Sequence, residues 1–121
     1  MKHAIDWFEI PVSDFDRAKK FYEHIFQITL QEMVVGPKLG LFPVDTDGIG
    51  GAIAHGKGYV PSVDGTKIYL RVEGKMQDVL DRVESAGGKI VVPCTQISEM
   101  FGYMGAFTDT EGNWIGVHSK A

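Results

Sequence analysis

Phe8-Glu9-Ile10-Pro11-Val12-Ser13-Asp14-Phe15-Asp16-Arg17-Ala18-Lys19-Lys20-Phe21-Tyr22 reads as a strand that turns directly into a helix. Phe8, Ile10 and Val12 share one face of the strand, and Trp7, Glu9 and Pro11 share the other. Ser13 offers a helix cap, with Asp16 three residues on as a short capping box. The spacing of Phe15, Ala18, Phe21, Tyr22, Ile25 and Phe26 predicts a helix over 14–26 with one apolar stripe. Sixty residues on, the same order returns: Ile68-Tyr69-Leu70-Arg71-Val72 alternates, and Met76, Val79, Leu80 and Val83 form the stripe of a helix over 75–86. Gly87 supplies the left-handed residue that ends it.

Short β-type runs follow each helix. They are Thr29–Val35, Leu39–Val44 and Ile49–His55 in the first half, and Lys89–Pro93, Met104–Thr108 and Trp114–His118 in the second. The turn Asp45-Thr46-Asp47-Gly48 is echoed by Asp109-Thr110-Glu111-Gly112, sixty-four residues later. Each half is therefore βαβββ, and the repeat spans the chain. The expected fold is α+β: two modules, about 1–57 and 66–121, in a single domain. Eight strands would form one curved sheet, with helices on the back and a cleft in front. The cleft face would carry Trp7, Glu9, Lys67, Tyr69, Arg71, Trp114, Gly116 and His118, whereas the back is aliphatic and Phe.

Composition fits a single globular domain. Of 121 residues, 44% are hydrophobic and 23% charged, which excludes a disordered chain, a collagen or a coiled coil. The net charge of −4 offers little to phosphate backbones, so no nucleic-acid partner is expected. Cys94 is the one cysteine and makes no intrachain disulfide or CxxC site. No apolar run approaches the ~20 residues of a membrane span, and Met1–Asp6 lacks a signal-peptide core. A cytoplasmic location, away from membranes, is the expectation.

The ordered set of motifs resembles the vicinal oxygen chelate superfamily, which includes glyoxalase I, bleomycin-resistance proteins and extradiol dioxygenases. It comprises residues 8–22 quoted above, Gly50-Gly51-Ala52, Ile68–Val72, Ala86-Gly87-Gly88-Lys89 and Asp109–Gly116. The resemblance implies paired βαβββ modules, a ligand cleft between them and a homodimer. In glyoxalase-type members it also implies a divalent metal held on the first and last strands of each module. Those positions match Trp7, Ala52, Lys67 and Gly116, none of which chelates through a neutral donor side chain. No metal and no cofactor are therefore expected, and the chain looks like a metal-free branch of the superfamily. A shifted site from His3, His118 and Glu9, with His55 also near a strand end, is the competing arrangement; His24 reads as a surface residue.

Glu9 is the candidate catalytic residue, as a general base or as an anchor for a hydroxyl or cation. The bland alternative is an ion pair with Arg71 or Lys67 across the sheet. Trp7, Tyr69, Trp114, Met100 and Phe101, with Tyr103 and Met104, are candidates to line an apolar cavity, and Lys67, Arg71 and His118 complete the expected ligand-binding set. Residues 98–105 combine large apolar groups with glycine, as a lid or an interface would. Cys94 lacks an evident histidine partner and reads as structural. The expected function is binding of a small metabolite or drug without metal. The alternative is a metal-dependent lyase or dioxygenase with a non-standard site.

Overall fold

The computed structural model describes residues 2–121. The first module runs β1 (Trp7–Pro11), α1 (Phe15–Phe26), β2 (Gln31–Val34), β3 (Lys38–Leu41) and β4 (Gly50–His55). The second runs β5 (Tyr69–Arg71), α2 (Met76–Val83), β6 (Lys89–Ser98), β7 (Gly102–Thr108) and β8 (Trp114–Ser119). Each module is thus βαβββ, and the chain is α+β. The eight strands lie in two four-stranded sheets, ordered β1-β4-β3-β2 and β5-β8-β7-β6. In each, the first strand pairs in parallel with the last, and the other pairings are antiparallel. β1 and β5 are both edge strands, so the curved surface is built from two mixed sheets and not from one continuous ladder. Between them, Asn113 Nδ2 donates to Pro11 O at 2.7 Å, engaging an acceptor at the end of the β1 edge.

Burial follows the alternation read from sequence. Ile10, Val12, Leu70 and Val72 are buried, and they join Phe21, Tyr22, Ile25, Val79, Leu80 and Phe107 in a core shared by both modules. Helix α1 crosses the module boundary to do this. Phe21 packs on Phe107, with ring centroids 5.6 Å apart. The Tyr22 hydroxyl donates to Asp109 Oδ2 at 2.6 Å. Burial first, and then the neighbouring Asp109, push the Tyr22 phenol well above its usual range.

The cap of α1 is Asp14 and not Ser13: Asp14 Oδ1 accepts from Arg17 N at 3.0 Å. Glu111, from the second module's β7–β8 turn, completes that helix end. Its Oε1 accepts from Ser13 N at 3.0 Å and Asp14 N at 2.8 Å. Arg17 Nε and Nη2 grip the same carboxylate at 2.8 and 3.0 Å. Burial pushes the Glu111 carboxyl up, but Arg17, the Asp14 amide and the Thr110 hydroxyl together hold it at about 2.

A carboxyl lowered by folding stabilises the protein above its unfolded value of 4.5, and that contribution is lost as pH falls toward 2. The Glu111 side chain is enclosed, whereas Arg17 is half exposed. Allowing for solvent around Arg17, the contribution is about 2 kcal/mol. Urea midpoints measured from pH 6 down to 3 should therefore fall steeply for the parent and shallowly for Glu111→Gln. Equal slopes would place the acid sensitivity elsewhere.

Candidate functional site

The face away from the helices is where the polar and aromatic residues of the strands emerge. On β1, Trp7 and Glu9 point there, and Trp7 is 45% exposed. Their opposite numbers on β4 are Gly50 and Ala52. Small residues at these positions leave room for the Trp7 ring, which a Cβ on Gly50 would approach within 3.3 Å. Below lies a patch of Leu39, Ala52 and Ala54, against which Tyr59 packs.

Glu9 is the polar centre of this face. Trp7 Nε1 donates to Glu9 Oε2 at 3.3 Å, and the Tyr59 hydroxyl donates to Oε1 at 2.8 Å. The hydrogen bond to Glu9, then burial, then the carboxylate charge raise the Tyr59 phenol above its ordinary value. The expected ion-pair alternative does not form. Arg71 is bound to Glu73 at 3.1 Å, and Lys67 Nζ donates to Val63 O while lying 4.7 Å from the Trp114 ring centre.

Tyr69, Lys67 and Trp114 form the second module's share. Tyr69 meets Trp114 edge-on, with centroids 5.9 Å apart. Its ring lies over Gly116, where a Cβ would come within 2.5 Å. A cavity of about 200 Å³ joins the two modules' shares, with Glu9 and Pro11 on one side and Trp114, Asn113 and Ser62 on the other. So Glu9 and Trp114 border one cavity, with Trp7, Lys67 and Tyr69 bonded or stacked onto them.

The remaining candidates lie apart. Met100 and Phe101 sit at the tip of the β6–β7 hairpin, 80% and 61% exposed. The segment 98–105 is the end of one strand, a tight turn and the start of the next. The tip is fastened by Phe101 N donating to Ser98 Oγ at 2.9 Å and by His118 Nε2 donating to Phe101 O. Tyr59 is the site residue that sequence reasoning passed over. Its signal was an aromatic ring set in a glycine- and proline-rich connection, Gly56-Lys57-Gly58-Tyr59-Val60-Pro61.

The fit to a metal rests on the donor set. Trp7 and Lys67 offer no lone pair, and Ala52 and Gly116 offer no side-chain donor. His3, His118 and Glu9 are not gathered, and His55 Nδ1 is turned to Val12 O at 3.0 Å. Among the described residues, no group of three His, Cys, Asp or Glu lies close enough to hold a metal ion. The residues present do not fit the divalent site of glyoxalase-type relatives.

Two βαβββ modules around one core, with aromatic and carboxylate groups on the open face, define a paired-module α+β protein. Residues 4–117 match the Glyoxalase/Bleomycin resistance protein/Dioxygenase superfamily, and the chain belongs to that superfamily. No curated protein matches it significantly. Among solved structures it is similar to a glyoxalase/bleomycin resistance protein from Albidiferax ferrireducens T118, with 14% identity and a TM-score of 0.75, covering 98% of this chain and 100% of that one. It is also similar to glyoxalase I from Zea mays, with 15% identity and a TM-score of 0.71, covering 94% of this chain and 43% of that one. A third is the E126Q mutant of a fosfomycin resistance protein from Listeria monocytogenes, in complex with Mn(II) and 1S,2S-dihydroxypropylphosphonic acid. It has 15% identity and a TM-score of 0.66, covering 100% of this chain and 94% of that one. At these identities the likeness is one of fold. No helix among the described residues is long and apolar enough to cross a membrane.

Proposed function

We propose that the open face binds a small aromatic or hydroxylated metabolite, neutral or zwitterionic, without a metal. The observation that carries this reading is the Glu9 carboxylate, held by Trp7 and Tyr59 at the edge of a cavity whose far wall is Trp114. A carboxylate positioned by two donors still has lone pairs for a ligand hydroxyl or amine, and Trp114 offers a flat apolar surface for a ring. One carboxylate is too few for a strongly cationic drug. Vicinal-oxygen chemistry works through a Lewis acid, and the four matching positions carry no donors for one. Glu9 serves as the anchor, with Trp7 and Tyr59 as positioning residues. The protein works as a cytoplasmic homodimer on this reading. Apolar residues on and beside edge strand β2, namely Met33, Val34 and Val35, are exposed and available for the contact. Sedimentation equilibrium at tens of micromolar should return twice the chain mass, and a clean monomer would remove that part.

A thermal-shift screen of metabolites with and without Zn(II), Mn(II), Ni(II) and Fe(II) tests the proposal. A matching metabolite raises the melting temperature alone, and the metals leave it unchanged. Glu9→Gln and Trp7→Ala each weaken that metabolite about tenfold or more, the scale of one charge-assisted hydrogen bond lost or left unpositioned. One equivalent of metal in the purified protein would instead favour a lyase or dioxygenase. Undiminished binding by both variants would move the site off this face.

A further inference from the structure

A larger cavity, about 520 Å³, opens on the helix side of the sheets, between the end of α1, the length of α2 and the strand ends of both modules. Its size falls within the range of small-molecule sites. It is walled by Phe8, Phe26, Phe42 and Ile49 from the first module, and by Val72 and Val79 from the second. Phe8 and Phe42 meet at 5.5 Å between centroids, and both are only half buried, so their rings present apolar surface to the cavity. None of the open-face residues Trp7, Glu9, Tyr59 and Trp114 borders it.

The charges at its rim are unevenly paired. Arg71 and Glu73 satisfy each other. Arg82 reaches from α2 to Ile25 O at 3.1 Å with one guanidinium nitrogen, and neither it nor Lys75 enters an ion pair among the described residues. Against these two cations stands Asp78 alone. An apolar chamber with one uncompensated positive charge at its edge suits a ligand with an apolar body and a single anionic head. We propose that this inter-module cavity is a second binding site, distinct from the open face, for an amphipathic monocarboxylate. Its chain or ring lies among Phe8, Phe42, Ile49 and Val79, and its carboxylate takes the free N–H groups of Arg82.

Isothermal titration of the purified protein with decanoate, decanol and decylamine tests this, and it makes no demand on the open face. Decanoate should bind with one site per chain, decanol about tenfold more weakly, and decylamine more weakly still. Arg82→Gln keeps a donor for Ile25 O and should bring decanoate down to the level of decanol. Gly74→Trp should abolish binding of both. Gly74 lines the cavity, and a Cβ there meets nothing within 4 Å, so a side chain can leave the backbone without a clash, and circular dichroism checks that the variant is folded. Equal binding of decylamine and decanoate, or undiminished binding by Gly74→Trp, would overturn the proposal. So would a parent that binds no decanoate, including the case in which Gly74→Trp dissociates a dimer and the cavity proves to be an interface between copies.

Discussion

Asp109→Ala is expected to lower the unfolding free energy by about 4 kcal/mol, read as a shift in urea midpoint at constant slope. Asp109 is buried and accepts four hydrogen bonds. Oδ1 takes Glu111 N at 2.8 Å and Asn113 N at 2.9 Å, and Oδ2 takes Tyr22 Oη at 2.6 Å and Asn113 Nδ2 at 3.0 Å. Alanine leaves all four donors without that partner, and Tyr22 is fully enclosed. Removing the donor instead is far milder. Tyr22→Phe deletes one bond and leaves Asp109 three, so about 1 kcal/mol is expected. The contrast between the two is the test: a loss below about 1.5 kcal/mol for Asp109→Ala would mean that water replaces the carboxylate.

Gly102→Ala should cost about 3 kcal/mol or more. Gly102 has φ of +77°, and an added Cβ would stand 2.3 Å from Ser119 O and 3.0 Å from Lys120 Cα. Both are backbone atoms, which cannot rotate out of the way as a side chain does. The matched control is Gly112, with φ of +89° and no atom within 4 Å of its Cβ position. Gly112→Ala carries only the left-handed penalty, about 1 kcal/mol. The difference between the variants, measured by chemical denaturation, isolates the clash. Equal losses would show that β8 yields at its end.

What could be read from sequence was what local periodicity encodes. The alternation of Phe8–Val12 and the stripe from Phe15 to Ile25 identify a strand and a helix on their own, and the echo at Ile68–Val83 identifies the second module. The errors lie where distant partners decide. Ser13 and Asp14 are both good caps, and Glu111, nearly a hundred residues on, takes both their N–H groups. The alternative in which Glu9 pairs with Arg71 or Lys67 presumes that β1 and β5 belong to one ladder. Without that ladder Glu9 turns to Trp7 and to Tyr59, whose position depends on a loop path that no periodicity records. Residues 98–105 form the end of β6, a tight turn and the start of β7, and the need for glycine at 102 comes from the Ser119 backbone beside it, which no local pattern records.

The clasp of Glu111 on the start of α1 also bears on how the protein is made. Residues 13–17 leave the ribosome nearly a hundred residues before the carboxylate that closes their helix end. Until then the nascent first module carries an unfinished helix terminus, an unmatched Tyr22 hydroxyl and, at the end of the β1 edge, a Pro11 carbonyl without Asn113. Closing so long a loop is slow, and exposed edges recruit neighbouring chains. The locking of the first module therefore waits on the second, and the nascent chain is most open to chaperones, or to aggregation on crowded polysomes, before the β7–β8 turn appears.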